Sequence, residues 1–135
     1  MAYRINNINP IDLQARKAVG INLPFSSDGV FSSNYQTKDA IKNNLINFLL
    51  TGKGERFMNP SFGSNIRNLL FENINDSTLD ATSNTIKIEL QESFPQIVVN
   101  ELTINPIHDR NTVNITFAYQ MKYTNLADTI SINFV

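Results

Sequence analysis

The sequence predicts an α+β fold in which three helices pack on one face of a small antiparallel sheet. Apolar residues recur at helical spacing between Thr37 and Phe94, and the period then changes from 3.6 to 2. A chain of 135 residues with 41% apolar content is long enough to cover one hydrophobic core. We therefore expect an N-terminal arm, residues 1–36, and a single α+β domain, residues 37–135.

The arm is irregular, with one pattern typical of a strand. Residues 21–25 alternate apolar and polar side chains, and the missing donor of Pro24 suits a strand at a sheet edge. Pro10, Ile11 and Leu13 predict either a short helical turn or a segment that becomes ordered only on binding a neighbour.

Three helices are predicted from apolar positions that share one face. The first begins near Thr37 and is about 12 residues long. The second is shorter and begins after a Ser64 cap. The third begins at Ser77, where Ser77 and Asp80 resemble a capping box, and Pro95 ends it. The apolar faces are Ile41, Leu45, Phe48 and Leu49, then Ile66, Leu69 and Leu70, then Leu79, Ile86, Leu90 and Phe94.

Three strands are predicted to follow as an antiparallel meander. Residues 105–111 and 124–128 have the length of hairpin loops. The last strand is expected to leave its outer edge uncovered, which makes it a site where another chain can add a strand. The inward residues are Val98, Leu102 and Ile104, then Val113, Ile115, Phe117, Tyr119, Met121 and Tyr123, then Ile130, Ile132 and Phe134.

Composition argues against several classes of function. The net charge of −1 gives no field that would attract nucleic acid or anionic lipid. The absence of cysteine excludes disulfides, thiolate catalysis and cysteine-bound zinc. No apolar stretch approaches the roughly 18 residues of a membrane span, and the first residues lack an apolar signal core. We expect no nucleic-acid, membrane, metal or cofactor partner.

Candidate catalytic residues are few. Glycoside cleavage needs two carboxyl groups flanking the bond, and Glu55, Glu72 and Asp76 are the acids near the loop between the first two helices. Their spacing defines no cleft. His108, beside Asp109, suggests a proton shuttle or a metal ligand, but a single histidine in a loop more often has no special role.

The densest unusual stretch is residues 54–63, Gly-Glu-Arg-Phe-Met-Asn-Pro-Ser-Phe-Gly. It is interpreted equally well as a rigid connection between helices and as a partner-binding surface. As a connection, Glu55 and Arg56 would cap helix ends, Phe57 and Phe62 would fill the core, and Pro60 and Gly63 would fix backbone angles.

The run from Leu45 to Glu72 has a recognisable frame. A helix ends in Thr-x-x-Gly, Glu-Arg and Pro-x-Phe-Gly follow, and a second helix closes with Leu-Phe-Glu. The matching residues are Thr51, Gly54, Glu55, Arg56, Pro60, Phe62, Gly63, Leu70, Phe71 and Glu72. This frame resembles the signature of small baseplate wedge subunits of T-even-type contractile phages and type VI secretion systems. The resemblance extends from about Thr37 to the C-terminus.

The resemblance implies a structural subunit of a virion tail baseplate, assembled in the host cytoplasm, that is not an enzyme. Glu55, Arg56 and Pro60, with Phe62 and Gly63, are expected to contact the inner bundle of larger wedge proteins. The fold is expected to be similar to the sheet domain of tail-sheath subunits, so the first sheath ring would dock by strand addition. The residues expected at that edge are Thr129, Ile130, Ser131, Ile132, Asn133, Phe134 and Val135.

The same family has carried a lysozyme label, so the competing hypothesis is a peptidoglycan-degrading tail enzyme. Glu55 is the candidate general acid, but its neighbour Arg56 would favour an ionised carboxylate, the opposite of what a general acid requires. The chain also lacks tryptophan, the best side chain for stacking on sugars. The sequence therefore favours the structural role.

Overall fold

The fold contains both helices and antiparallel sheets, which confirms the predicted α+β class. The computed structural model describes residues 10–14, 17–23, 33–69, 71–72, 75–110, 112–124 and 126–134. The chain divides into two compact units, Met1–Asn47 and Phe48–Val135. Among the described helices, none combines the length and the apolar character needed to cross a membrane.

The first unit contains a 3-10 turn, Pro10–Leu13, and two short antiparallel strands, β1 (Gly20–Ile21) and β2 (Ser33–Asn34). The turn is the helical alternative expected for this segment. Of the strand predicted over residues 21–25, Ile21 lies in β1, while Asn22 and Leu23 lie outside a strand. Pairing of β1 with the distant β2 could not be predicted, because such pairing leaves no local sequence pattern. Pro24 and Phe25 lie outside the described residues.

Helix α1 (Thr37–Leu50) begins where predicted. Its start is capped from a distance, since one carboxylate oxygen of Asp12 accepts hydrogen bonds from the backbone N–H and the hydroxyl of Thr37, both at 2.7 Å. The buried residues of α1 are Ala40, Asn43, Leu45, Phe48 and Leu49. Asn43 is the exception to the apolar pattern, and its amide oxygen accepts a hydrogen bond from the N–H of Leu23 at 2.9 Å.

Two further helices lie in the second unit, α2 (Ile66–Leu69) and α3 (Asp76–Ser93). Both predicted caps are wrong. The hydroxyl of Ser64 donates to the carbonyl of Leu49 instead of capping α2, and the N-cap of α3 is Asn75, which makes no side-chain cap bond. The predicted residue Leu70 lies outside the described residues.

The second unit also contains the sheet, ordered β3 (Ile97–Ile107), β4 (Thr112–Met121) and β5 (Ala127–Phe134). Both strand pairs are antiparallel, as the meander predicts. One face of β4 is buried, and α3 packs against β3 with Ile86 and Leu90 inward. The buried residues of β4 are Val113, Ile115, Phe117, Tyr119 and Met121.

The ends of the strands differ from prediction in two places. Strand β3 continues through Pro106 to Ile107, although residues 105–111 were expected to form a loop. An edge strand tolerates proline because only one of its sides is paired. Tyr123 lies in the turn after β4 with 79% of its surface exposed, not on the inner face of the sheet.

Candidate functional site

The segment singled out in the sequence forms a closed loop, residues 52–63, referred to below as the central loop. The N–H of Gly54 donates to the carbonyl of Pro60 at 2.9 Å, which draws its two sides together. Its ends are joined where the N–H of Ser64 donates to the carbonyl of Thr51 at 2.9 Å. The buried hydroxyl of Ser64 also binds the carbonyl of Leu49 at 2.8 Å. These bonds fasten the central loop to the end of α1.

Gly63 and Gly54 occupy positive-φ conformations that favour glycine, with φ of 121° and 86°. The two sites differ in the space around them. A Cβ at position 63 would lie 2.5 Å from the carbonyl oxygen of Thr51, whereas a Cβ at position 54 would meet nothing within 4 Å. The predicted role of Gly63 in fixing the backbone is therefore a steric requirement of the loop closure.

Gly63→Ala is expected to destabilise the second unit more than Gly54→Ala does. The Gly54 variant carries only backbone strain of about 1–2 kcal/mol, whereas the Gly63 variant must also displace the backbone of Thr51. Chemical denaturation followed by circular dichroism measures both variants. Equal losses of stability would show that the close approach of Thr51 is unimportant.

The central loop is anchored to the core by an aromatic cluster of Phe48, Phe62 and Phe94. The ring of Phe48 meets the ring of Phe62 edge-on at 5.1 Å and the ring of Phe94 edge-on at 5.8 Å. The guanidinium carbon of Arg56 lies 4.0 Å from the centroid of the Phe62 ring, which is a cation–π contact. Phe62 thus contacts Phe48 in the core and Arg56 on the surface of the loop.

The charged residues of the loop interact within the protein. The carboxylate of Glu55 lies 3.5 Å from the guanidinium of Arg67 on α2, and Lys53 pairs with Glu89 on α3. Glu55 and Arg56 were expected to cap helix ends, and the contacts that the structure shows for them are with Arg67 and Phe62. The cation beside Glu55 is Arg67, a residue that sequence adjacency did not indicate. Both members of this pair are about half exposed, so the pair contributes little stability.

Phe57 and Met58 form the tip of the central loop. Their exposed fractions are 96% and 91%, so the expectation that Phe57 fills the core is wrong. A short loop has no hydrophobic periodicity, so its sequence does not show whether an aromatic side chain points into the core or into solvent. Pro60 is also exposed, while Phe62 is only partly exposed.

The second candidate surface is the outer edge of β5. Within the described part of the chain β5 pairs with β4 alone, in a register that runs without interruption from Gln120↔Ala127 to Val113↔Phe134. Ile130 and Phe134 are buried, and Ile132 is partly buried. Thr129, Ser131 and Asn133 are exposed, and Val135 lies outside the described residues.

The two edges of the sheet differ in how they resist strand addition. Strand β3 carries a register shift between Val99 and Glu101, and Pro106 lies within it. A bulge and a proline are both devices that discourage pairing with a further strand. Strand β5 has neither, and Asp128 is its one charged residue. The uninterrupted edge is therefore that of β5.

Two of the candidate catalytic acids, Glu72 and Asp76, line different grooves. Glu72 lines an open groove with Asn65, Asn68, Ala81, Thr82 and Thr85. Asp76 lines a different groove beside β3, and Glu55 lines neither. No group of three or more histidine, cysteine or acidic side chains in the described ranges is placed to hold a metal ion. The side chain of His108 lies outside the described residues.

Residues 35–126 match the family described as baseplate wedge protein gp25. The baseplate wedge protein gp25 of Enterobacteria phage T4 is 28% identical over 82 residues, which cover 61% of this chain. This chain spans only 62% of the length of that relative.

Two solved structures have a similar fold. A protein named as a tail lysozyme from Geobacter sulfurreducens superimposes with a TM-score of 0.65 at 28% identity, covering 73% of this chain and 90% of its own. A chain from the baseplate of the anti-feeding prophage superimposes with a TM-score of 0.53 at 22% identity, covering 84% of this chain and 81% of its own. At that identity the second likeness concerns the fold alone.

Proposed function

This chain belongs to the family of baseplate wedge protein gp25, and from that premise we propose that it is a structural, non-catalytic subunit of a contractile tail baseplate. The central loop contacts the inner bundle of larger wedge proteins, and the edge of β5 receives the first sheath ring. The subunit assembles in the host cytoplasm and resides in the virion tail. Residues 1–36 serve as an arm of the domain formed by residues 37–135.

The observation that carries the proposal is the rigid presentation of the family's motif. The Gly54–Pro60 hydrogen bond and the positive φ of Gly63 close the central loop, and Phe62 anchors it to the core. A loop that is already ordered loses little conformational entropy on binding, so more of its contact energy contributes to affinity. Such a loop suits a permanent joint between structural proteins.

The edge of β5 supports the second contact. An incoming strand would bond to its backbone and would be placed in register by alternate side chains. The carboxylate of Asp128 accepts a hydrogen bond from the N–H of Thr129 at 2.8 Å. That N–H, near the start of β5, is therefore already bonded within the subunit. The stretch from Ser131 onward is the part offered to a sheath strand.

The second candidate function, peptidoglycan cleavage, is favoured by the likeness to the tail lysozyme from Geobacter sulfurreducens. A glycosidase of the usual kind places two carboxyl groups about 5–9.5 Å apart across the sugar. Here Glu55 pairs with Arg67, while Glu72 and Asp76 line separate grooves. This arrangement favours the structural role.

A binding experiment tests the proposal. Wild-type protein is expected to retain the inner wedge proteins of its own baseplate in a pull-down, and Glu55→Ala/Arg56→Ala is expected to retain less, because the loop loses two internal contacts. Circular dichroism checks that both proteins are folded.

A peptidoglycan-release assay on the same two proteins separates the candidates. Neither protein is expected to release soluble fragments. Release by wild type and not by the folded double variant would establish an enzyme and overturn the structural proposal.

A further inference from the structure

The two charged side chains of the family motif already make contacts within the protein. The two apolar residues that follow them are exposed. Glu55 pairs with Arg67, and Arg56 lies over the ring of Phe62. Phe57 and Met58, the next two residues, are almost fully exposed. An apolar pair at the tip of an ordered loop is the kind of surface that marks a protein contact.

We propose that Phe57 and Met58 are the residues that enter the partner, and that Glu55 and Arg56 position the loop that presents them. This inference rests on the proposed function and identifies which atoms of the central loop make the contact. The partner surface is an uncharged apolar groove on a wedge protein, deep enough to take one aromatic ring and one thioether side chain.

The surroundings of the tip indicate an apolar occupant. Around the central loop, Lys53 pairs with Glu89 and Glu55 pairs with Arg67, so these charges compensate one another within the subunit. Phe57 and Met58, the most exposed apolar side chains of the loop, are neutral, and a neutral apolar groove matches them. Burial of charged groups in such a groove would cost free energy, which disfavours direct entry of Glu55 or Arg56.

The physical properties of the two side chains suit this role. A phenylalanine ring buries a large apolar area, and the flexible thioether of methionine fills irregular space beside it. The loop that carries them is held by the Gly54–Pro60 hydrogen bond and by the Phe48–Phe62 contact. The tip is therefore ordered before the partner binds, which lowers the conformational-entropy cost of insertion.

The test measures binding of the full chain to the purified inner wedge proteins of its own baseplate. Phe57→Ser/Met58→Ser is expected to weaken the Kd by about 30-fold, the size of a central interface residue. Phe57→Leu/Met58→Leu is expected to bind within about threefold of wild type because it keeps the apolar volume. Tyr123→Ser, which changes a residue that is 79% exposed in the turn after β4, is the matched control and is expected to bind as wild type does.

Salt dependence distinguishes an apolar tip from a charged one. Binding through Phe57 and Met58 is expected to change little when the ionic strength rises from about 0.1 to about 0.5 M, whereas a contact made by Glu55 and Arg56 weakens. Wild-type binding that falls steeply with salt would overturn the inference.

The outcomes also separate this inference from the proposed function. Binding by wild type together with equal binding by the folded double-serine variant would overturn the role of the tip while leaving the wedge assignment intact. Failure of wild type to bind any inner wedge protein would overturn both.

Discussion

Thr129→Lys/Ser131→Lys is expected to prevent sheath assembly on purified baseplates while leaving the fold intact. Both side chains are exposed on the edge strand β5. Lysines there oppose pairing with an incoming strand, as they do on natural protected edges. Loss of about three backbone hydrogen bonds, each worth about 1 kcal/mol, weakens docking by more than about a hundredfold. Sheath polymerisation on baseplates that carry the variant, followed by electron microscopy, measures the effect.

The opposite edge of the sheet provides the control for this experiment. Thr103→Lys/Asn105→Lys adds the same charge to β3, whose edge is already interrupted by Pro106 and the register shift near Glu101. Sheath assembly is expected to proceed normally with this variant. Normal assembly with both double variants would refute strand addition at β5, and failure with both would show that added charge alone is responsible.

Phe48→Ala is expected to lower the free energy of unfolding by about 3–5 kcal/mol, the usual cost of removing a buried aromatic ring. Phe48 is 1% exposed and meets Phe62 and Phe94 edge-on. A loss of this size is a large part of the about 5–15 kcal/mol that stabilises a typical domain. Chemical denaturation followed by circular dichroism measures it, since the chain has no tryptophan for fluorescence.

The same substitution is expected to loosen the central loop, because Phe62 loses the ring that holds it. Hydrogen exchange at the N–H of Gly54, which bonds to Pro60, should become faster. Phe71→Ala, at a residue that is 90% exposed, is the control and should change stability by less than about 0.5 kcal/mol. A loss below about 1 kcal/mol for Phe48→Ala would mean that the aromatic cluster does not support the unit.

Hydrophobic periodicity alone determined the class of the fold. Apolar and polar residues alternate along β4. Because successive side chains of a strand point to opposite faces, this alternation identifies the buried face directly. The period of α1 likewise places Leu45, Phe48 and Leu49 inward. The frame of Glu55, Arg56, Pro60, Phe62 and Gly63 led to the family by resemblance, and the family match over residues 35–126 confirms it.

Only the tertiary structure decided which residues of the central loop are available to a partner. A loop has no period, so the sequence could not show that Phe62 turns inward while Phe57 turns outward. Nor could it show that Glu55 meets Arg67 on α2 instead of its neighbour Arg56. The sequence predicted the meander and the uncovered edge of the last strand. The register shift that interrupts β3 and not β5 depends on pairing between distant segments, and only the structure showed it.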